Sequence, residues 1–140
     1  MTLPDYYLSY PKDVSNMETL YNIAVQTNGG ADFYLLFGDF LDAFYKAEAK
    51  TRMNMINEPP PDMGKSEYVP FLAAAAHKLA IDFDVPPPEW VFERRCYLPG
   101  MAPHFACEAK GDLRLLFMYK SPSEFKYRNL FVDENVLKRI

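Results

Sequence analysis

The clearest hydrophobic pattern in the chain begins at Phe33. Phe33, Leu36, Phe37, Phe40, Leu41 and Phe44 recur at helical spacing, while Asp39, Asp42, Lys46 and Glu48 occupy the other side. A wide apolar stripe of this kind predicts an amphipathic helix laid against a core. Asp32 stands at the capping position. The helix is expected to run past Lys50 and to stop before Pro59-Pro60-Pro61, because a residue preceding proline avoids the helical region. An earlier helix is predicted over 16–27. Ser15-x-x-Glu18 opens it as a capping box, Met17, Leu20, Tyr21 and Ala24 face inward, and Gly29-Gly30 stops it. A third begins at Ser66, takes Pro70 into its first turn and turns Tyr68, Leu72, Ala75, Leu79 and Phe83 inward. The alanines at 73–76 have the highest helix propensity and let a neighbour approach closely. Pro86-Pro87-Pro88 ends this helix. Proline triplets on both sides read as stiff, extended connectors. The residues flanking them are core-like, so no domain boundary is placed there.

The pattern is less decisive further on. Glu89 to Phe92 reads as a helical turn with Trp90 buried, and Pro99-Gly100 as a chain reversal. Phe105, Cys107 and Ala109 alternate on one side of Lys110-Gly111-Asp112, and Leu113, Leu115, Phe117 and Tyr119 on the other. That alternation fits a hairpin over 105–119. A short buried helix from Asp112 to Tyr119 fits nearly as well, and both readings stay open within a mostly α chain with at most a small hairpin.

The last twenty residues, SPSEFKYRNLFVDENVLKRI, are dense in signals. Ser121, Pro122 and Glu124 form an N-cap, a first-turn proline and a capping-box partner for a helix over 122–128. Leu130-Phe131-Val132 is too short and apolar for a surface helix and is expected to be extended and buried. Asp133 then caps a final turn or two holding Val136, Leu137 and Ile140. Lys138 and Arg139 fall at its C-terminal end, where the helix dipole favours cations.

Pro88-Glu89-Trp90-Val91, Leu113-Arg114-Leu115, and Ser121-Pro122-x-x-Phe125 with Arg128-Asn129-Leu130-Phe131-Val132 carry a resemblance. The set resembles an uncharacterised bacterial domain found alone or behind a Cro/C1-type helix-turn-helix, sometimes in toxin–antitoxin-like settings. The resemblance spans the second half of the chain and, more loosely, the Phe33–Phe44 helix. Where this chain has Lys126-Tyr127-Arg128, the family's motif is more basic. The resemblance implies a regulatory context and brings no catalytic residues with it.

Composition and charge narrow the classes. The 140 residues are 49% hydrophobic and 16% aromatic, enough for a sizeable core and too apolar for a disordered chain. The longest apolar or small run, 69–76, is far short of a membrane span. The opening MTLPDYYLSYPKD lacks a basic stretch followed by an apolar one, so no signal peptide is expected. Two cysteines do not make a disulfide framework. A cytoplasmic protein with reduced thiols is expected. The net charge is −4, with the acidic excess in residues 1–64. Direct binding to nucleic acid is therefore not expected, since phosphate neutralisation supplies most of that affinity.

Candidate chemistry is sparse. His77, Cys96, His104 and Cys107 are ligand types for zinc, and His104-x-x-Cys107 is a plausible clip. Strong zinc signals pair two clips, and here His77 and Cys96 stand apart; the plain alternative is two buried cysteines, a helix-face histidine and a loop histidine. Cys107 near His104, or Cys96 beside Arg94 and Arg95, offers a lowered thiol pKa, yet the sequence supplies no base-orienting partner. Asp39 and Asp42 share a helix face, which a solvated surface explains. Phosphate-loop, nucleophile-elbow and HExxH patterns are absent. Arg94, Arg95, Lys126, Arg128, Lys138 and Arg139 either converge on an acidic partner or scatter over the surface. Ten tyrosines and seven methionines suit an adaptable interface.

These readings combine into one expectation. The fold is mainly α, with α+β the alternative: a single compact helical domain over 1–140 with at most a small β-hairpin, residues 1–14 forming an irregular arm. The function is a non-enzymatic protein-binding or regulatory module with another protein as partner and self-association an option. No cofactor or membrane contact is expected. Tyr7, Tyr10, Arg94, Arg95, Tyr127 and Arg128 are the expected contact residues. The rival reading is a small-molecule or zinc-binding protein using His77, Cys96, His104 and Cys107.

Overall fold

The computed structural model describes residues 18–106 and 110–138. It is mainly helical, with one two-stranded parallel sheet. Helix α1 (Leu20–Asn28) is capped by Thr19, whose side chain accepts from the Asn22 N–H at 3.0 Å. Glu18 thus precedes the helix and does not serve as the expected capping-box partner; Ser15 to Met17 lie outside the described residues. Leu20, Ile23 and Ala24 are buried. At the other end Gly30, at φ 109°, takes the left-handed turn that a side chain would resist.

The apolar stripe beginning at Phe33 forms α2 (Phe33–Lys46), capped by Asp32 as expected: its Oδ1 accepts from the Leu35 N–H at 3.1 Å. The helix is shorter than its sequence pattern. Ala47 and Glu48 are extended, and a separate helix α3 (Ala49–Asn57) follows. Arg52 explains the break. It folds back from α3 and donates from Nε to the Phe44 carbonyl and from Nη2 to the Tyr45 carbonyl, each at 2.9 Å. Its guanidinium also lies 4.2 Å from the centre of the Phe83 ring. The Phe44 carbonyl also accepts from the Ala47 N–H at 3.2 Å, so Arg52 adds to the bonding of the carbonyls at the end of α2, and the redirected chain brings Met55 and Ile56 into the core.

Helix α4 (Tyr68–Asp82) is the centre of the molecule. It starts two residues later than the Ser66 reading. Every residue from 69 to 76 is buried, so neighbours close around it rather than along one stripe. The small alanine side chains permit that approach. It packs on two 3₁₀ turns, Glu89–Phe92 and Arg94–Cys96, and on the short helix α6 (Ser123–Lys126). Asp84, at φ 55°, and the Val85 N–H bonded to the Ala80 carbonyl at 2.9 Å end it before the prolines. Trp90 is buried as expected, and its indole N–H donates to the Ile56 carbonyl at 2.9 Å. This bond joins the end of α3 to the first 3₁₀ turn.

Residues 105–119 do not form a hairpin. Strand β1 (His104–Phe105) pairs in parallel with β2 (Leu130–Phe131), His104 opposite Leu130. Between them lies α5 (Asp112–Lys120). Leu130 and Val132 are buried and extended, as the sequence suggests. Ser121 has a different role from the expected cap. Its Oγ accepts from the Val132 N–H at 2.8 Å and lies within bonding distance of the Phe117 and Val132 carbonyls, at 2.6 and 2.8 Å. One hydroxyl thus pins the tail to the end of α5. The final segment is a turn at 134–137 rather than a helix. The Asp133 side chain accepts from the Asn135 N–H at 2.8 Å, and the Tyr45 hydroxyl donates to the Leu137 carbonyl. Among the described residues, no helix is long and apolar enough to cross a membrane.

Candidate functional site

Arg128 was expected at the surface. Its side chain is 1% exposed, one of the largest fully buried groups. The turn after α6 aims it inward beneath Tyr97, whose ring centre is 4.9 Å from the guanidinium. Nη1 donates to the Glu124 carbonyl and Nη2 to the Val91 carbonyl, each at 2.8 Å. Nη1 also lies 3.3 Å from His77 Nδ1. A guanidinium only donates, so Nδ1 is the lone-pair nitrogen and the His77 proton sits on Nε2. The Arg128 backbone carbonyl accepts from the Leu98 N–H at 3.0 Å. One residue thus joins α4, the first 3₁₀ turn, the Tyr97–Leu98 segment that follows the second, and α6. Its Nε is buried without a hydrogen-bond partner, and no carboxylate makes an ion pair with it among the described residues.

This setting fixes the state of its neighbours. Burial, and next the Arg128 charge, hold the His77 imidazole below its usual pKa; Glu124 opposes them. The sign of the pH effect follows. Above about pH 6.5 the histidine is neutral folded and unfolded alike. Below that value the unfolded chain takes up a proton that folded His77 resists, so stability declines as pH falls through the folded-state pKa. His77→Leu is expected to flatten the dependence of the urea midpoint between pH 7 and pH 5. A wild-type midpoint that rises toward pH 5 would contradict this.

Cys96 is fully buried, and its thiol contacts the Trp90 carbonyl at 3.3 Å. Burial pushes its pKa up to about 11, against the pull of Arg95 and Arg128. It remains a thiol at neutral pH, unlike the activated nucleophile considered from sequence. His77 is engaged by Arg128, and His104 lies in β1. Among the described residues, no three His, Cys, Asp or Glu side chains are grouped to hold a metal ion. Cys107 lies outside them. Asp39 is exposed; burial, and next the Asp39 charge, raise the carboxyl of Glu18.

The remaining contact candidates divide. Arg94 is exposed and Tyr127 is 75% exposed. Arg95 is taken up within the molecule, with Nε 2.9 Å from Glu93 and Nη1 3.3 Å from Asp62. Lys126 donates to the Tyr119 carbonyl at 2.6 Å. Arg128, inside the core, is not part of the surface patch considered from sequence. Tyr7, Tyr10 and Arg139 lie outside the described residues.

The feature missed from sequence is α5. It was expected to be buried if helical, yet Phe117 is its only buried residue. Leu113, Leu115, Leu116, Met118 and Tyr119 are all exposed, Leu115 at 65% and Tyr119 at 77%. The helix is nonetheless well held. Gly111, at φ 58°, supplies the turn into it. Arg114 stacks on Phe105, 4.4 Å from the ring centre. Asp112 in the first turn and Lys120 in the last match the helix dipole. A sequence signal did exist: apolar side chains point in every direction around these nine residues, so no single orientation buries them all.

A cleft of about 230 Å³ neighbours α5, lined by Tyr34, Phe71, Ala106, Val132, Asp133 and Val136. Ala106 follows the Phe105 that carries Arg114, and Glu134, next to Asp133, approaches Lys120 at 3.9 Å. The Tyr34 hydroxyl donates to the Ala106 carbonyl at 3.1 Å, leaving ring surface toward the cleft. Such a hollow suits an apolar side chain; its lining pairs no nucleophile with a base. No family model, curated protein or solved structure matches this chain.

Proposed function

We propose that the protein is a non-enzymatic protein-binding module whose docking face is α5, extended by Tyr127. The observation that carries this reading is a nine-residue helix with five large apolar side chains exposed and one buried. Exposed apolar groups gathered on one element mark interaction surfaces more often than single scattered ones. Leu, Met and Tyr also supply adaptable contact area without charge at its centre. The sequence resemblance supports an accessory role beside bacterial transcriptional regulators or antitoxin-like proteins, in the cytoplasm. With a net charge of −4, any contact with DNA would be made by its partner and not by the module itself.

A photo-cross-linking residue placed at Tyr119 in living cells tests this. Protein adducts are expected from position 119 and not from Lys50, an exposed site on α3. Equal labelling from both positions, or none from 119, would refute the docking face.

A further inference from the structure

Resting on the docking reading above, we infer that α5 binds a second copy of itself, antiparallel, about a two-fold axis through Leu116. The order of residues along the helix carries the inference. Asp112 and Lys120 lie four residues to either side of Leu116, and Leu113 and Tyr119 lie three to either side. At 100° per residue, these five positions share about 120° of the helix surface. Phe117, which anchors the helix to the body, falls outside that arc. Anchoring therefore leaves the face open, and all five residues are exposed.

A two-fold axis makes each contact twice. Leu116 meets the partner's Leu116. Leu113 meets the partner's Tyr119, an aliphatic side chain against an aromatic face. Asp112 meets the partner's Lys120 at both ends of the pair. The helix dipoles oppose each other, which also favours this arrangement. A parallel pair would instead set Asp112 against Asp112 and Lys120 against Lys120. The charges thus select one orientation, as polar flanks do in helix pairing generally. Lys120 is available for the contact, because its pairing with Glu134 is long, at 3.9 Å, and half exposed. The helix is roughly 14 Å long, so the interface is small and belongs to the weak, reversible class, with dissociation constants of roughly tens to hundreds of micromolar.

Sedimentation of the purified full chain from about 5 to 500 μM tests the inference. A reversible rise from monomer toward dimer is expected. Leu116→Glu should weaken it at least about tenfold. Asp112→Lys and Lys120→Asp should each weaken it roughly fivefold, because each homodimer then faces like charges. An equimolar mixture of these two variants should recover association, since both end contacts become opposite again in the heterodimer. Circular dichroism confirms that each variant is folded. A wild-type chain that stays monomeric throughout overturns the inference. So does a dimer indifferent to Leu116→Glu, or a mixture that fails to associate. The docking reading is judged separately. Adducts from position 119 to a different protein, with a monomeric purified chain, would leave that reading standing while self-pairing fails. Absence of adducts and of dimer removes both.

Discussion

Arg128→Ala is expected to lower the unfolding free energy by about 3 kcal/mol, from the cost of buried groups left without partners. The wild-type guanidinium serves the Val91 and Glu124 carbonyls and the His77 lone pair at once. Removing it leaves the buried Val91 carbonyl without its donor, at about 1–3 kcal/mol, and the part-buried Glu124 carbonyl without one at a smaller cost. The side chain's own volume is lost as well. Partly offsetting this, a charge without a paired carboxylate no longer has to be desolvated. Arg128→Lys should recover only a fraction, because an ammonium cannot span three acceptors as the planar fork does. Urea denaturation monitored by circular dichroism would measure both. A loss below about 0.5 kcal/mol, typical of a surface site, would show that Arg128 does not hold the elements together.

Phe71→Ala should cost about 3–5 kcal/mol, the usual range for a buried phenylalanine. Phe71 is buried on α4, and its ring meets four others edge-on. Phe33, Tyr34 and Phe37 come from α2, at centroid distances of 5.6, 5.8 and 5.0 Å; Phe125 comes from α6, at 5.4 Å. Edge-to-face packing adds to the area each ring removes from water. The truncation therefore loses contacts with two helices at once, and little nearby can collapse into the space. It also deepens the cleft that Phe71 lines. Phe71→Leu should lose less, since most of the volume remains. The unfolding midpoint in urea is the readout, with the slope held constant. A cost near 1 kcal/mol would mean that the site relaxes and that the aromatic cluster is not the mechanical link between α2, α4 and α6.

The legible parts of the chain were those governed by neighbours along the sequence. The stripe from Phe33 to Phe44, the Asp32 cap, the buried Trp90 and the extended Leu130-Phe131-Val132 all follow from spacing and side-chain type. Arg52 was not legible as a break in the second helix, because it reaches its two acceptors only after α3 turns back. Ser121 carried a local signal for capping that the fold does not use: Pro122 is the N-cap, and the hydroxyl bonds Val132 instead. The parallel pairing of β1 with β2 joins segments 26 residues apart in register, a choice that local alternation cannot express.

The candidate site shows the same division more sharply. Its apolar character was readable in outline, from the many adaptable apolar groups. Its location was not. Arg128 was placed outside because arginine is rarely buried alone, and it lies inside because acceptors from three separate elements converge on it. The buried-helix reading would put Leu113, Leu115 and Leu116 inside, and they lie outside, with Phe117 the one buried residue of α5. By itself the sequence determined that the chain is mainly helical, where most helices lie and which of their faces are apolar, since propensity and periodicity act over a few residues. Only the tertiary structure decided which charged residue joins the core and which apolar helix is left at the surface. Those outcomes depend on acceptors and space supplied by distant segments.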